Sequence, residues 1–182
     1  MSKASAENLT SIQPKTSCPT ALAIAEQTRF YAPGVIIPEA DISYEFLQRF
    51  LAKFKVEAIT TENGELEISE AFGPTIGIRL NPNRNWIFLN TGFETPTLDD
   101  DERTHFSNYL SNNLAMAQFA ATDGGIGMGF YMYYRGGLNV DQFMAMAQRF
   151  GSLACTAMRK YVTFGIEADR EGSEERTSVT LN

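Results

Sequence analysis

Seven residues near the end of the chain, Val140, Phe143, Ala147, Phe150, Ala154, Ala157 and Tyr161, recur alternately three and four positions apart, which is one stripe of an α-helix. A helix with a single apolar stripe draws most of its stability from burying that stripe on another element, and little from its own backbone. The rest of the chain must therefore supply an apolar surface, and the fold class depends on whether that surface is a sheet or further helices. Asn139, with Gln142 three residues later, forms a capping pair that opens this helix.

Upstream the pattern changes several times. Asp41 offers an N-cap for a first helix in which Ile42, Phe46, Leu47, Phe50, Leu51 and Phe54 keep helical spacing. Two strand-like runs, Val56 to Thr61 and Leu66 to Ser69, flank Glu62-Asn63-Gly64-Glu65, and the Asn-Gly pair suits a turn with positive φ at both central positions. From Thr75 to Leu80, Ile76, Ile78 and Leu80 alternate with Gly77 and Arg79. After the turn Asn81 to Asn85, the run Trp86 to Asn90 reads as the returning strand. Thr97, Leu98 and the four acids Asp99 to Glu102 mark the start of a second helix, because carboxylates there meet free N–H groups and the positive end of the helix dipole. That helix runs to about Leu114, with Phe106, Tyr109 and Leu110 on one face. Ala115 to Ala121 and Ile126 to Tyr134 bracket a second hairpin turn, whose Asp123-Gly124 pair takes the left-handed positions.

The elements run helix, three or four strands, helix, two strands, helix, or α-β-β-β-α-β-β-α in its shortest form. This order predicts an α+β fold with an antiparallel sheet and helices on one face. Residues 1–40 are rich in Ser, Thr, Ala and Pro and read as a partly ordered leader, with a short helical segment at Ala21 to Gln27 and an extended one at Val35 to Ile37. Residues 41–162 form the domain. Residues 163–182 form an acidic tail, five acids against two arginines, expected to fray beyond Ile166.

The segment from His105 to Tyr161, set in this order of elements, resembles the YbjN family of bacterial proteins, which carry the label of sensory transduction regulators. The features that carry the resemblance are Asn108 and the Asn112-Asn113 pair on the second helix, the Asp123-Gly124 turn between two strands, and Gly136-Gly137 leading into the last helix through Asn139-Val140-Asp141. The family pattern has asparagines three apart near the end of the second helix; here Asn108 and Asn112 stand four apart and Asn113 adjoins. The resemblance covers about residues 41 to 162. It implies a fold like that of type III secretion chaperones, which are small acidic proteins that dimerise and hold an extended segment of a partner. It brings no catalytic residues.

The residues themselves point the same way. His105 is the single histidine, on a helix that opens with acids, and no nucleophile motif lies beside it. His105, Cys18 and Cys155 are too scattered to give a recognisable zinc spacing. The four acids at Asp99 to Glu102 point about 100° apart from one another on a helix and cannot converge on a cation. The run Gly124-Gly125-Ile126-Gly127-Met128-Gly129 opens a strand, whereas a phosphate-binding loop leaves a strand and opens a helix. It reads instead as a place where missing side chains leave room for a neighbour. Neither a metal, a cofactor nor a catalytic group is expected.

The net charge of -7 and pI of about 4.8 argue against binding nucleic acid or an anionic membrane, both of which require clustered Lys and Arg. The N-terminus has no apolar signal region, and no apolar run reaches the length of about 18 residues that could span a bilayer, so a cytoplasmic protein is expected. The Asn8-Leu9-Thr10 sequon then has no role. Cys155 falls within the apolar helical pattern and reads as a free thiol acting as a small hydrophobe, and the chain has no disulfide framework.

Two features exceed what a plain core requires. Met116, Met128, Met132, Met144, Met146 and Met158 gather in the C-terminal half, where pliable thioethers suit irregular cores first and adaptable binding surfaces second. Phe130-Tyr131-Met132-Tyr133-Tyr134 places large side chains on both faces of one strand, so Tyr131 and Tyr133 stand exposed if one sheet face is open. The expected function is a non-enzymatic, chaperone-like or regulatory protein that binds a protein partner and forms a homodimer, with Tyr109, Met128, Tyr131 and Tyr133 as its candidate interaction surface. The alternative is a small ligand carrier or enzyme with an apolar pocket bearing a polar group such as Tyr109, Tyr131 or Glu57.

Overall fold

A computed structural model of the protein describes residues 34–69 and 71–178, with side chains as far as residue 164. In chain order the elements are β1 (Ile36–Ile37), a 3-10 turn (Glu39–Asp41), α1 (Tyr44–Lys53), β2 (Ala58–Thr60), β3 (Leu66–Ile68), β4 (Ile76–Asn81), β5 (Trp86–Glu94), α2 (Asp100–Asn113), β6 (Gln118–Thr122), β7 (Gly125–Tyr133), β8 (Leu138–Asn139) and α3 (Val140–Ser178). Six strands form one antiparallel sheet in the order β2-β3-β4-β5-β7-β6, and β1 pairs with β8 in a separate ribbon. This is the α+β architecture that the order of elements predicts, with four strands between the first two helices.

The sheet supplies the surface that the α3 stripe requires. Val140, Phe143, Ala147, Phe150, Ala154 and Ala157 are all buried, and so are the inward residues of the sheet: Leu66, Ile68, Ile76, Ile78, Ile87, Leu89, Ile126, Met128 and Met132. Leu47, Phe50 and Leu51 of α1 and Phe106 and Leu110 of α2 complete the core from the same side. The rings of Phe50 and Phe143, 6.0 Å apart, join α1 to α3, and Phe106, 4.9 Å from Phe164, joins α2 to α3. Gly151 is the closest approach of α3 to the segment before β4: a Cβ there would lie 2.0 Å from the Phe72 carbonyl oxygen.

Several local details differ from the sequence reading. The α1 cap is Ser43, whose Oγ accepts from the Phe46 amide at 3.1 Å, while Asp41 ends the 3-10 turn. The shift places Ile42 in the core before the helix begins. The α2 cap is Asp99 in a full capping box with Glu102. In the Asn63-Gly64 and Asp123-Gly124 turns only the glycine has positive φ, +78° and +77°, so neither turn uses the left-handed region at both positions. Val35 to Ile37 belongs to the fold, since β1 pairs with β8 and the Val140 amide donates to the Val35 carbonyl at 3.3 Å.

At the other end, α3 continues to Ser178 where fraying was expected after Ile166. Glu167, Ala168, Arg170, Glu171, Glu174, Glu175 and Arg176 are good helix formers, and extending a helix already nucleated on a packed segment costs little per residue. Cys155 is buried, but it is disulfide-bonded and so is not the free thiol the sequence suggested. Cys18, the Asn8 sequon and the Ala21 to Gln27 segment lie outside the described residues. Among the described residues no helix is long and apolar enough to cross a membrane.

Candidate functional site

Side chains alternate between the two faces of a strand, so the register of the sheet assigns every residue to the helical side or to the outer side. Opposite the inward-facing pairs Ile87↔Met132 and Leu89↔Phe130, of which Phe130 is half-buried, the outer side of β5 and β7 carries Trp86↔Tyr133, Phe88↔Tyr131, Asn90↔Gly129, Gly92↔Gly127 and Glu94↔Gly125. Arg79 of β4 stands beside Phe88, Gly77 beside Asn90, and Glu67 of β3 beside Gly77. On the far side, β6 adds Gln118, Ala120 and Thr122.

This outer face is a step. Its high side is an aromatic ridge. Trp86 meets Tyr131 edge to face at 5.3 Å, within the range of favourable ring pairing, and Phe88 lies closer still, 4.4 Å from Tyr131. Phe88 leans across β7, and a Cβ on Gly129 would lie 2.6 Å from its ring. Tyr131 is 42% exposed and Tyr133 71%, while Trp86 and Phe88 are half-buried. Arg79 flanks the ridge. Its Nε donates to Glu65 at 2.6 Å, and this bond, with the attraction of the carboxylate, raises the guanidinium pKa above its ordinary value.

The low side is a bench whose floor is formed by Gly92, Gly127 and Ala120, with few side chains; Gly77 beside it lies under the Asn90 side chain, and Gly125 is buried against the Phe93 carbonyl. Two shallow depressions meet at Gly92. One, of about 450 Å³, runs toward Glu65, Glu67, Gly77 and Asn90 and is also lined by Pro74, Thr75 and Met158 of α3; the other, of about 300 Å³, runs toward Glu94, Thr122, Asp123 and Gly127. The charged residues that line the two are Glu65, Glu67, Glu94 and Asp123.

The four residues singled out from sequence are not brought together. Tyr131 and Tyr133 stand side by side on the outer face. Met128 lies on the helical side with 3% exposure and belongs to the core. Tyr109 is on α2 in the helical layer, where its hydroxyl accepts from Lys160 Nζ at 3.1 Å and its ring lies 5.2 Å under that ammonium. The polar groups proposed for a pocket also stay apart, since Glu57 is exposed near β2 while Tyr109 and Tyr131 lie on different layers. His105 is exposed, and among the described residues no group of His, Cys, Asp or Glu is placed to hold a metal ion. Trp86 and Phe88 were missed, although Trp86-Ile87-Phe88-Leu89 already shows the alternation that puts both on one face.

One tyrosine does have a displaced pKa. Tyr134 is buried at the end of β7, and loss of water around its phenol, with the Glu39 carboxylate nearby, raises its pKa. Glu39 accepts from Asn85 Nδ2 at 2.7 Å and from the Gly136 amide. It thereby ties the β4–β5 turn and the β7–β8 turn to the start of the fold. Both bonds are structural, one to each carboxylate oxygen.

No protein-family model matches the sequence, and no curated protein matches it. The fold is similar to the crystal structure of YbjN, a candidate transcription regulator from E. coli, with a TM-score of 0.50 and 11% sequence identity over 72% of this chain and 94% of that one. At that identity the likeness shows the fold: this chain has a YbjN-like α+β fold.

Proposed function

We propose that this chain is a non-enzymatic regulatory protein of the YbjN type, and that it acts in the cytoplasm by binding another protein on the outer face of its sheet. The observation that carries the reading is the ridge of Trp86, Phe88, Tyr131 and Tyr133, an aromatic cluster on the sheet face opposite the helices. Aromatic residues dominate the energetics of protein interfaces, and the mutual packing of Trp86, Phe88 and Tyr131 means that these three lose little conformational freedom on binding. Similarity to a regulator supports a regulatory role. The charge of the chain favours a role exerted through protein rather than DNA, because DNA binding needs a cationic patch and Arg79 on this face is already paired.

The test is crosslinking in cells from a photoreactive residue placed at Tyr133, compared with one at Tyr109 in the helical layer, followed by mass spectrometry. A recurrent protein partner crosslinked from Tyr133, and lost in a Tyr131→Ser/Trp86→Ser variant that keeps its melting temperature, supports the reading. Crosslinks confined to Tyr109 overturn it. A crosslink from Tyr133 only to a second copy of the chain, with a dimer mass by light scattering that persists on dilution, also overturns it by making this face a self-interface.

A further inference from the structure

The bench beside the ridge suggests what kind of segment binds there, and this inference rests on the protein-binding reading above. Between Glu67 and Glu94 the Asn90 side chain lies over Gly77, and beyond it the floor is low: Gly92 and Gly127 face each other across β5 and β7, with Ala120 next in line on β6. A Cβ at Gly127 would lie 3.2 Å from the methyl of Thr122, a tight contact that the exposed Thr122 side chain would have to yield to, so Gly127 and Thr122 together keep this part of the floor low. A surface this low across Gly92, Gly127 and Ala120 can receive a chain lying flat on it, whereas a globular partner would leave the bench as a gap beside the projecting ridge.

Charge selects among such chains. The carboxylates lining the two depressions stand on opposite sides of the floor, Glu65 and Glu67 toward β3 and Glu94 and Asp123 toward the β6–β7 turn. Arg79, on the neighbouring strand, is held by Glu65. Glu67, Glu94 and Asp123 have no described cation beside them. A segment crossing the bench therefore meets carboxylates on both sides and the negative faces of Phe88 and Tyr131 along one edge, where an ammonium or guanidinium is attracted to the rings as well as to the acids. An acidic segment would be repelled along its whole length.

We infer that the glycine bench takes an extended, basic segment of the partner protein, with its Lys or Arg side chains directed at Glu67 and Glu94 and its backbone lying over Gly92 and Gly127. The probe is a labelled peptide of repeated Lys-Thr-Val units and its Glu-Thr-Val counterpart, followed by anisotropy and by the emission of Trp86, the single tryptophan, which stands on the ridge. The Lys peptide should bind and change Trp86 emission, and the Glu peptide should not.

Glu67→Gln with Glu94→Gln should weaken binding by about three- to tenfold, the size of two partly exposed charge contacts. Gly127→Val, which leaves the charge unchanged, should block the floor and weaken binding at least as much. Attraction to the net charge of -7 alone would leave Gly127→Val binding like the wild type, and that result overturns the inference. Equal binding of the two peptides, or none by the Lys peptide, overturns it as well. If the Lys peptide fails while crosslinks from Tyr133 still capture a partner, only the basic-segment assignment falls. Loss of those crosslinks removes the protein-binding reading itself.

Discussion

Gly151 separates helix propensity from tertiary packing by the sign of a single measurement. It lies in the interior of α3, where replacing Gly by Ala in a solvated helix adds about 1 kcal/mol of stability. Here the added methyl carbon would meet the Phe72 carbonyl oxygen at 2.0 Å and the Phe72 carbonyl carbon and Cβ at 2.9 Å. Ordinary contact begins at 3.4 Å. The obstruction is backbone, so it cannot turn aside as the end of a side chain would. Either the Ala71–Pro74 segment must move off α3 or the helix must move off the sheet, in both cases disturbing Phe72, which is 2% exposed.

Overpacking of this kind costs about 1 to 3 kcal/mol, and a rigid carbonyl places Gly151→Ala at the upper end. Against the propensity gain, the net loss should be about 2 kcal/mol, or about 4 to 8 °C in melting temperature for a chain of this length. Urea unfolding followed by far-ultraviolet circular dichroism and by Trp86 fluorescence would measure it, with coincident transitions confirming that the slope is interpretable. Ser152→Ala, one position along on an exposed site, is the control and should stabilise slightly. A Gly151→Ala protein as stable as the wild type, or more so, would refute the close approach of α3 to Phe72.

Other changes separate the core from the outer face. Phe143→Ala should cost about 3 to 5 kcal/mol in the same unfolding assay, whereas Tyr133→Ala should stay within about 0.5 kcal/mol and weaken only partner binding; equal losses would mean that the outer face is not open. Asp99→Ala removes one half of the α2 capping box and should cost about 1 kcal/mol, read as a lower urea midpoint with an unchanged slope. Glu39→Ala leaves Asn85 and the Gly136 amide without their acceptor and should cost about 1 to 3 kcal/mol, with faster hydrogen exchange at Gly136 as its local signature. The raised pKa of Tyr134 means that the folded state favours the neutral phenol. Its contribution is therefore complete below the unfolded value of about 10 and is lost as pH rises through the higher folded value. Melting temperatures measured between pH 9 and 12 should fall more steeply for the wild type than for Tyr134→Phe, and parallel curves would contradict the burial of that phenol.

The fold was largely legible because the main signals are periodic and long. The α3 stripe, the alternation of Ile76, Ile78 and Leu80, and the acids that open α2 each name an element without help from the rest of the chain. Boundaries depend on contacts that a local pattern does not contain. Asp41 and Ser43 are both good caps, and only the burial of Ile42 between them decides in favour of Ser43. The Asn63-Gly64 and Asp123-Gly124 pairs mark turns correctly, yet their φ values follow from the strands they join. The extension of α3 to Ser178 was obscured because the acids and arginines after Ile166 carry no apolar period, although their helix propensity is high.

The candidate site was half legible, and the dividing line is parity on β7. Met128 and Tyr131 differ by an odd number of residues, so on one strand they cannot share a face; period two alone separates them once the strand is accepted. The same parity explains the shape of the outer face. Gly125, Gly127 and Gly129 occupy the positions that continue as Tyr131 and Tyr133, while Ile126, Met128, Phe130 and Met132 fill the alternate ones. One strand therefore carries an unbroken apolar inner face for the helices to cover and an outer face that changes midway from bare backbone to aromatic rings. The core needs only the first of these. Glycine in the interior of a strand weakens it, although Gly129 leaves the room that the Phe88 ring fills, and the exposed Tyr133 contributes little to folding. A sequence that places both on the same face, beside Gly92 and Trp86 on the next strand, shapes a surface as well as a fold, and it is on that surface that we propose recognition occurs.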